Sequence, residues 1–388
     1  MAQMSVVADP HIDPNADPRA IAGEDSASQW RLIWGSFRRH RLAMTGAVVV
    51  IAFYLVALFT EFLAPFDPDA PSSRDVYHPP QMIHLFDTNA DGSWAFRPHV
   101  NGMKLSRDRF TLKTTFSPDP DKKIYLTLFG DGTPYKMWGL IPMEKRLIAA
   151  VTPGERFYLL GADRLGRDML SRIIAGTRVS MSIGLAGVAV SLLLGLVLGG
   201  VSGYYGGWVD TGVQRLIELK LSLPTIPIWL GLSAALPQDW APLTRYFAIT
   251  LILSLVGWTE LARVVRGRFL ALRTEDFVVA ARLDGGSKAR VIFRHMMPSM
   301  VSHIIASVSL AIPVMIIAET SLSFLGLGLL PPTISWGVLL KEAQNVRSIA
   351  QAPWLFAPGI AVCAAVLALN FLGDGLRDAA DPYAQEGR

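Results

Sequence analysis

The chain has 388 residues, of which 51% are hydrophobic and only 18% are charged, and its mean hydropathy is +0.35. A soluble globular domain usually carries about 25% charged residues, so this composition indicates a membrane protein. The single cysteine excludes an intrachain disulfide framework and a cysteine-based metal site, and the net charge of +4 gives no reason to expect a nucleic-acid partner.

The N-terminal region is polar and acidic up to residue 27 and then becomes basic. A secretory signal peptide needs a basic start followed by a short apolar core, and the chain does not begin in that way. Directly before the first apolar run lies a basic cluster, which consists of Arg31, Arg38, Arg39, His40 and Arg41. We expect residues 1–41 to form a tail outside the membrane.

Six segments reach or approach the length of about 20 mostly apolar residues that a membrane-spanning helix needs. They are residues 42–64, 179–203, 213–236, 246–262, 301–322 and 354–373. The third segment is weaker because Arg215, Glu218 and Lys220 lie in its first turns, and the fourth segment is short. For those two segments, a buried helix of a soluble domain is the alternative interpretation.

Lysine and arginine are distributed unevenly among the connecting segments, and cytoplasmic loops carry the excess of both residues. The loop 237–244 contains neither, and the loop 323–353 contains only Lys341 and Arg347. The loop after the fourth segment is strongly basic, with Arg263, Arg266, Arg268, Arg273, Arg282, Lys288, Arg290 and Arg294. Six spans with both termini in the cytoplasm agree with these charges, and they put the segment between the first two spans outside.

This external insert, residues 65–177, is rich in proline, aspartate and aromatic residues. Residues 111–116 and 124–129 are rich in β-branched and aromatic side chains and are separated by a Pro-Asp-rich stretch, which predicts a hairpin with a longer loop. Residues 135–140 are a further candidate strand. We therefore expect a small β-containing external domain.

Small residues recur in the second predicted span, at Gly195, Gly199 and Gly203. This spacing puts them on one face of a helix and permits close contact with a neighbouring helix, although glycine is also common in membrane helices generally. Pro313 lies within the fifth predicted span, where it favours a kink of the kind found in helices that line a pathway.

The basic cytoplasmic loop contains a second, shorter helical pattern. Glu275 and Asp276 suit the first turn of a helix, because the helix dipole favours anions there. Good helix formers follow, and Gly285 is expected to end the helix, while Pro298 is expected to open the fifth span. Residue chemistry alone leaves two interpretations open, a helix that docks a partner protein and an ordinary basic loop.

The same loop resembles the coupling motif of ABC importer permeases, in which Glu-Ala-Ala is followed after three residues by Gly and after nine more by Ile-x-Leu-Pro. The matching residues are Ala280, Ala281, Gly285 and Pro298. The sequence departs from the motif at Val279, His295 and Met297. The His295-x-x-Pro298 ending looks like the peptide-permease version of the motif.

Four further segments, 160–172, 203–210, 318–328 and 373–382, resemble dipeptide and oligopeptide permeases in the same order along the chain. The chain is thus identified as a member of the family of inner-membrane permease subunits of peptide-type ABC importers, as their second permease. The resemblance implies an all-α membrane protein of six transmembrane helices, the last five forming the permease core, with the β-containing insert added. The implied organisation is a cytoplasmic tail, a first helix, a periplasmic insert, a core with its coupling loop, and a cytoplasmic C-terminal tail, at residues 1–41, 42–64, 65–177, 178–373 (loop 263–298) and 374–388.

The implied function is the transport of peptides or related solutes across a bacterial inner membrane. The implied partners are a second homologous permease, two cytoplasmic ABC ATPases and a periplasmic solute-binding protein. Import of oligosaccharides or other small solutes by the same machinery is an alternative, and an integral-membrane enzyme or receptor is a more remote one. The sequence has no phosphate-binding Gly-x-x-x-x-Gly-Lys-Ser/Thr loop and no catalytic or cofactor motif, so ATP hydrolysis is assigned to the partner subunits.

Two further features are ambiguous. Glu319 falls within or near the end of the fifth predicted span, where it is either a pathway residue beside Pro313 or a helix-end carboxylate at the membrane surface. The acidic run containing Asp87, Asn89 and Asp91 matches the first half of a calcium-binding loop but lacks the final bidentate glutamate, so an ordinary turn is the alternative.

Overall fold

In a computed structural model, which describes residues 29–88, 93–107 and 114–380, helices at the N-terminal end lead into a sheet. The first helices are α1 (Gln29–Arg39), α2 (Arg41–Leu58) and α3 (Thr60–Leu63). The sheet contains β1 (Ile83–Thr88), β2 (Trp94–Arg107), β3 (Thr114–Met137) and β4 (Ile141–Ala150). Its strands lie in the order β1-β2-β3-β4, and each neighbouring pair is antiparallel.

The rest of the described chain is helical. It comprises α4 (Met169–Tyr205), α5 (Gly207–Ser222), α6 (Thr225–Ala234), α7 (Pro242–Leu272), α8 (Asp276–Leu283), α9 (Lys288–Arg290), a π-helical turn (Val291–Met296), α10 (Met297–Ser299), α11 (Val301–Phe324), α12 (Trp336–Glu342), α13 (Val346–Gln351), a 3₁₀ turn (Pro353–Phe356) and α14 (Ala357–Ala380).

Five helices in the described part of the chain are long and apolar enough to cross a membrane, namely α2, α4, α7, α11 and α14. The third predicted span, 213–236, falls on α5 and α6, which are bent by 86° at the break between them, and the pair qualifies only if it is taken together. The break lies at Pro224, which has no backbone N–H to donate and disfavours a helical conformation in the residue before it.

Several predicted boundaries differ from the observed helices. Residues 374–380, which were predicted to begin the C-terminal tail, continue α14. Residues 169–177, which the sequence pattern assigned to the insert, form the first turns of α4, because the Asp168 side chain caps this helix by accepting from the Ser171 N–H. Residues 263–272, which were predicted to begin the basic loop, continue α7. The charge of Arg266 did not end the helix there because its guanidinium pairs with Asp210 of α5.

The predicted close helix contact is confirmed at the interface of α4 with α7. A Cβ atom on Gly195 would come within 2.7 Å of the Leu261 Cβ, and one on Gly203 within 2.8 Å of the Arg266 carbonyl oxygen. The two backbones are therefore too close for any larger residue at these positions.

The predicted hairpin between residues 111–116 and 124–129 is wrong. Residues 114–116 and 124–129 lie in the same long strand, β3, while residues 111–113 are outside the described part. The pairing with β2 shifts between Asn101↔Lys123 and Gly102↔Asp119, so the Pro-rich stretch forms a bulge instead of a loop. A proline lacks the ladder N–H, and a bulge tolerates this loss.

The hairpin of the insert lies further along the chain, between β3 and β4. Its connection is formed by residues 138–140, in which Trp138 and Gly139 both have positive φ angles, 53° and 74°. Residues 135–137 end β3, so the candidate strand 135–140 is half strand and half turn. Consecutive positive φ values suit the twist of a tight hairpin.

The insert is attached to the end of the first membrane helix by side-chain donors. Trp138 Nε1 donates to the Leu58 carbonyl at 2.8 Å, and Arg146 Nη1 donates to the Ala64 carbonyl at 2.6 Å. Arg178 of α4 also donates to the Leu58 carbonyl, at 3.3 Å. Carbonyls at a helix end have no partner within the helix, and these three side chains supply one.

Candidate functional site

The segment that resembles the coupling motif forms the predicted short helix. Helix α8 begins after Glu275, carries Asp276 in its first turn and ends at Leu283. Gly285 has a φ of +76°, a conformation that glycine adopts without strain. The prediction of a short helix ended by this glycine is confirmed.

One face of α8 is anchored in the protein. Val278 is completely buried and packs in an apolar cluster with Phe269 of α7, Val291 and Met296 of the π-helical turn, and Met300. This cluster packs α8 against the ends of α7 and α11.

The part of the α8 surface outside the Val278 face exposes apolar side chains that the sequence analysis did not single out. Leu283 is 82% exposed, and Phe277 and Val279 are exposed as well. These residues could have been identified from the helical pattern, because they are apolar and lie off the face that Val278 occupies. We call Phe277, Val279 and Leu283 the exposed apolar face of α8.

The two alanines of the motif have different surroundings. Ala280 is exposed, whereas Ala281 is half-buried and packs against the cluster around Val278. Gly286 lies close to the same turn, since a Cβ atom on it would come within 2.6 Å of the Ala281 carbonyl oxygen. A large residue at position 281 would therefore disturb the packing of α8 against the cluster around Val278, whereas a large residue at position 280 would project outward.

Cation–π contacts connect the α8 region to the end of α4. The Arg282 guanidinium lies 5.3 Å from the centre of the Tyr204 ring, and the Lys288 ammonium lies 5.1 Å from that of Tyr205. Such contacts are worth about 0.5–1 kcal/mol each at exposed sites. The end of α4 is thereby in contact with the last turn of α8 and with α9.

An ion pair holds three helices together at this end of the molecule. The Asp210 carboxylate of α5 accepts two hydrogen bonds from the Arg266 guanidinium of α7, at 2.5 and 2.6 Å. The Ser202 hydroxyl of α4 donates to the same carboxylate at 2.5 Å. A bidentate pair of this kind fixes orientation as well as distance.

The remaining motif residues lie in the helical connection to α11. His295 is part of the π-helical turn, and Pro298 lies in the three-residue helix α10. The fifth span was predicted to open at Pro298, but α11 begins at Val301, after a break at Met300. A π-helical turn of this kind often marks a functional position in a helix.

Glu319 lies in the last two turns of α11 and is completely buried. Its carboxylate accepts hydrogen bonds from the hydroxyls of Ser323 and Ser335, both at 2.8 Å, and of Ser180 at 3.3 Å. Ser323 lies in α11, Ser335 is the residue that caps α12, and Ser180 lies in α4. Glu319 therefore joins three elements.

Pro313 lies inside α11, as predicted. The next residue, Val314, lines a cavity of about 170 Å³ between α6 and α11, together with Trp229, Ile317 and Ser321. This cavity is almost entirely apolar, so it offers space but few hydrogen-bonding groups.

The candidate calcium loop lies only partly in the described region. Asn89 and Asp91 are outside it. The Asp87 carboxylate accepts from Lys123 Nζ at 2.6 Å and from the Tyr125 hydroxyl at 2.7 Å. These two hydrogen bonds hold the pKa of Asp87 well below its usual range, and they occupy both carboxylate oxygens.

Comparison with protein families identifies two matching models. Residues 191–385 match the family described as binding-protein-dependent transport system inner membrane component. Residues 28–80 match the N-terminal TM domain of oligopeptide transport permease C. The two matches lie on either side of the sheet.

Curated relatives align over most of their own length. The oligopeptide transport system permease protein OppC of Bacillus subtilis is 33% identical, over 61% of this chain and 75% of the relative. The glutathione transport system permease protein GsiD of Pectobacterium atrosepticum is 40% identical, over 58% and 72%, respectively. The dipeptide transport system permease protein DppC of Bacillus subtilis is 34% identical, over 59% and 70%.

Proposed function

The chain belongs to the family of inner membrane components of binding-protein-dependent transport systems, and we propose that it forms, with a second homologous permease, the pathway through which an ATP-driven importer moves peptides or related solutes. The observation that carries this proposal is the family match, which runs from within α4 through α14 and includes the coupling segment. The test is uptake by proteoliposomes that contain the assembled importer and its binding protein.

Peptides are the proposed cargo because the relatives are named for oligopeptide, dipeptide and glutathione transport. Oligosaccharides and other small solutes remain the alternative within the same machinery. Competition between a labelled peptide and unlabelled oligosaccharides in the uptake assay separates the two classes of cargo.

We propose six membrane crossings, with α5 and α6 together forming one of them. Both termini and the basic α8–α9 region would then lie in the cytoplasm, and the sheet would lie in the periplasm. The bias of lysine and arginine toward the α8 side supports this orientation, because cytoplasmic loops carry the excess.

Cysteine labelling tests this topology. In a Cys363→Ala background, which removes an exposed thiol, a cysteine at Asp119 is expected to react with a membrane-impermeant maleimide added to intact spheroplasts. A cysteine at Lys288 is expected to react only after the membrane is opened. The reverse pattern would contradict the six-span arrangement.

We propose that α8 docks on one of two cytoplasmic ATPase subunits. Its exposed apolar face is suited to a protein partner, because exposed apolar side chains, above all Leu283, are stabilised by burial against another protein. Its buried face connects this contact to α7 and α11. ATP-driven movement of the partner would thus be transmitted to the membrane helices.

The isolated chain is expected neither to bind nor to hydrolyse ATP, because its sequence has no phosphate-cradling loop. The assembled importer is expected to hydrolyse ATP. Equilibrium binding of labelled ATP to the purified chain checks this, and one nucleotide bound per chain would refute it.

A further inference from the structure

A cavity of about 370 Å³ lies beside the start of α4, at the end of the molecule opposite to α8. The charged residues in its wall come from the loop before α4, from α4 itself and from α12. They are Arg164, Arg167, Arg172, Lys341 and Glu342, and together they define what we call the cationic pocket. The arginines belong to the 160–172 segment, which the coupling function leaves unexplained.

The arginine-bearing loop is held in one conformation by a buried carboxylate. Asp163 is almost completely buried, and its Oδ1 accepts from the backbone N–H groups of Leu165 at 2.8 Å and Arg167 at 2.9 Å. Its Oδ2 accepts from Arg167 Nε at 2.7 Å. The pocket is thus preorganised, which lowers the entropy that a ligand loses on binding.

The cationic pocket has more positive than negative charge. The Glu342 carboxylate forms ion pairs with two arginines, at 3.3 Å to Arg164 and 3.5 Å to Arg167. Lys341 forms no ion pair within 4.0 Å among the described residues. Arg172 is 3% exposed; its guanidinium lies 3.5 Å from both Asp163 and Asp69 and donates to the Pro68 carbonyl, while its Nε has no hydrogen-bond acceptor. The four cations therefore face three carboxylates, Glu342, Asp163 and Asp69, and Lys341 carries the positive charge that no carboxylate among the described residues pairs.

The position of the pocket indicates the side from which an anionic partner would approach. Helix α4 has 37 residues and is therefore about 55 Å long. Its last residues contact the α8 region, whereas its first residues form the pocket. With α8 on the ATPase side, as proposed above, the pocket lies at the other end of α4, where an anion would approach from the external side of the membrane.

We propose that the cationic pocket receives a carboxylate side chain of the solute-binding protein when that protein docks on the importer. The inference rests on the proposed function, because it needs the insert side to be external. Arg164, which is 61% exposed, and Lys341 form the accessible rim, and Arg172 forms the base. Docking at this pocket acts on the first turn of α4. This helix is continuous from there to Tyr204 and Tyr205, which contact Arg282 and Lys288.

The test is the affinity of the binding protein for the assembled importer in nanodiscs, measured by fluorescence anisotropy with a labelled binding protein. The double variant Arg164→Glu, Lys341→Glu is expected to raise the Kd about tenfold at low ionic strength, because both rim charges become repulsive. The difference is expected to shrink at 0.5 M salt, since exposed charges are then screened.

The matched control is the double variant Lys104→Glu, Lys145→Glu, which makes the same change in net charge on exposed residues of the sheet. Its Kd is expected to stay within twofold of the wild type. The charge-conserving double variant Arg164→Lys, Lys341→Arg is expected to keep most of the wild-type affinity. A variant in which the pocket is misfolded would lose it.

Equal Kd values for the pocket and control variants would overturn the inference. So would a pocket variant that docks normally but binds a free peptide less tightly, because the anion would then come from the cargo. A wild-type importer whose ATPase activity does not respond to the binding protein would overturn the proposed function, and this inference with it.

Discussion

Replacing Gly285 by valine is expected to abolish solute uptake while the chain still inserts into the membrane. Gly285 has a φ of +76°, where an L-residue costs roughly 1–2 kcal/mol and a β-branched residue is a clear outlier. Its N–H donates to the Arg282 carbonyl at 3.1 Å, so relief of the strain would unwind the end of α8. That end carries Leu283, the most exposed part of the apolar face.

Uptake and solute-stimulated ATPase activity of the reconstituted importer measure this effect. Gly139→Val is the matched control, because Gly139 has a φ of +74° and, like Gly285, no atom within 4 Å of an added Cβ. It imposes the same backbone strain in the β3–β4 turn, far from α8, and is expected to leave ATPase coupling intact. Normal uptake by Gly285→Val would show that α8 is not the coupling element.

A second variant separates docking from helix strain. Ala280→Trp adds bulk on the exposed side of α8 and leaves the turn at Gly285 unchanged. It is expected to reduce co-purification of the ATPase subunits. Ala281→Trp acts differently, because Ala281 is half-buried and its replacement also disturbs the packing around Val278.

Replacing Glu319 by alanine is expected to lower the amount of folded protein more than tenfold. The change leaves the buried hydroxyls of Ser323, Ser335 and Ser180 without their acceptor, and each unsatisfied buried group costs about 1–3 kcal/mol. It also removes the contact that holds the cap of α12 against α4. Size-exclusion chromatography of the detergent-solubilised chain measures the folded fraction.

Glu319→Gln distinguishes a structural role from a role in the pathway. The amide oxygen retains the two 2.8 Å bonds from Ser323 and Ser335, so a structural Glu319 predicts normal folding and uptake within twofold of the wild type. Loss of uptake by a well-folded Gln variant would instead indicate that the carboxylate takes part in transport.

Five membrane helices were predictable from their apolar composition, but some of their ends were misjudged, and the third predicted span is a pair of helices bent by 86°. The pattern could not foresee that Arg266, in the predicted basic loop, would pair with Asp210 from another helix and so remain within α7. The prediction of a hairpin at residues 111–129 failed for a similar reason. Proline-rich residues usually form loops, but here the pairing partner β2 accommodates them in a bulge.

The coupling segment was found from its sequence motif, whereas its exposed apolar face required the structure. Spacing alone identifies Ala280 and Gly285, but it does not say that Val278 points inward and Leu283 outward. The surroundings of Glu319 depend on serines from positions 180 and 335, which are far apart in the sequence. No local pattern carries that information.

The side chains that donate hydrogen bonds to the carbonyls at the end of the first membrane helix limit how this protein can be engineered. Trp138 and Arg146 belong to the sheet, yet the carbonyls of Leu58 and Ala64 depend on them. A chimera in which a short flexible linker replaces the sheet would leave the Ala64 carbonyl without its Arg146 donor and the Leu58 carbonyl with only the 3.3 Å bond from Arg178. A tag or reporter domain should therefore be inserted within the sheet's own loops, with both donors left in place.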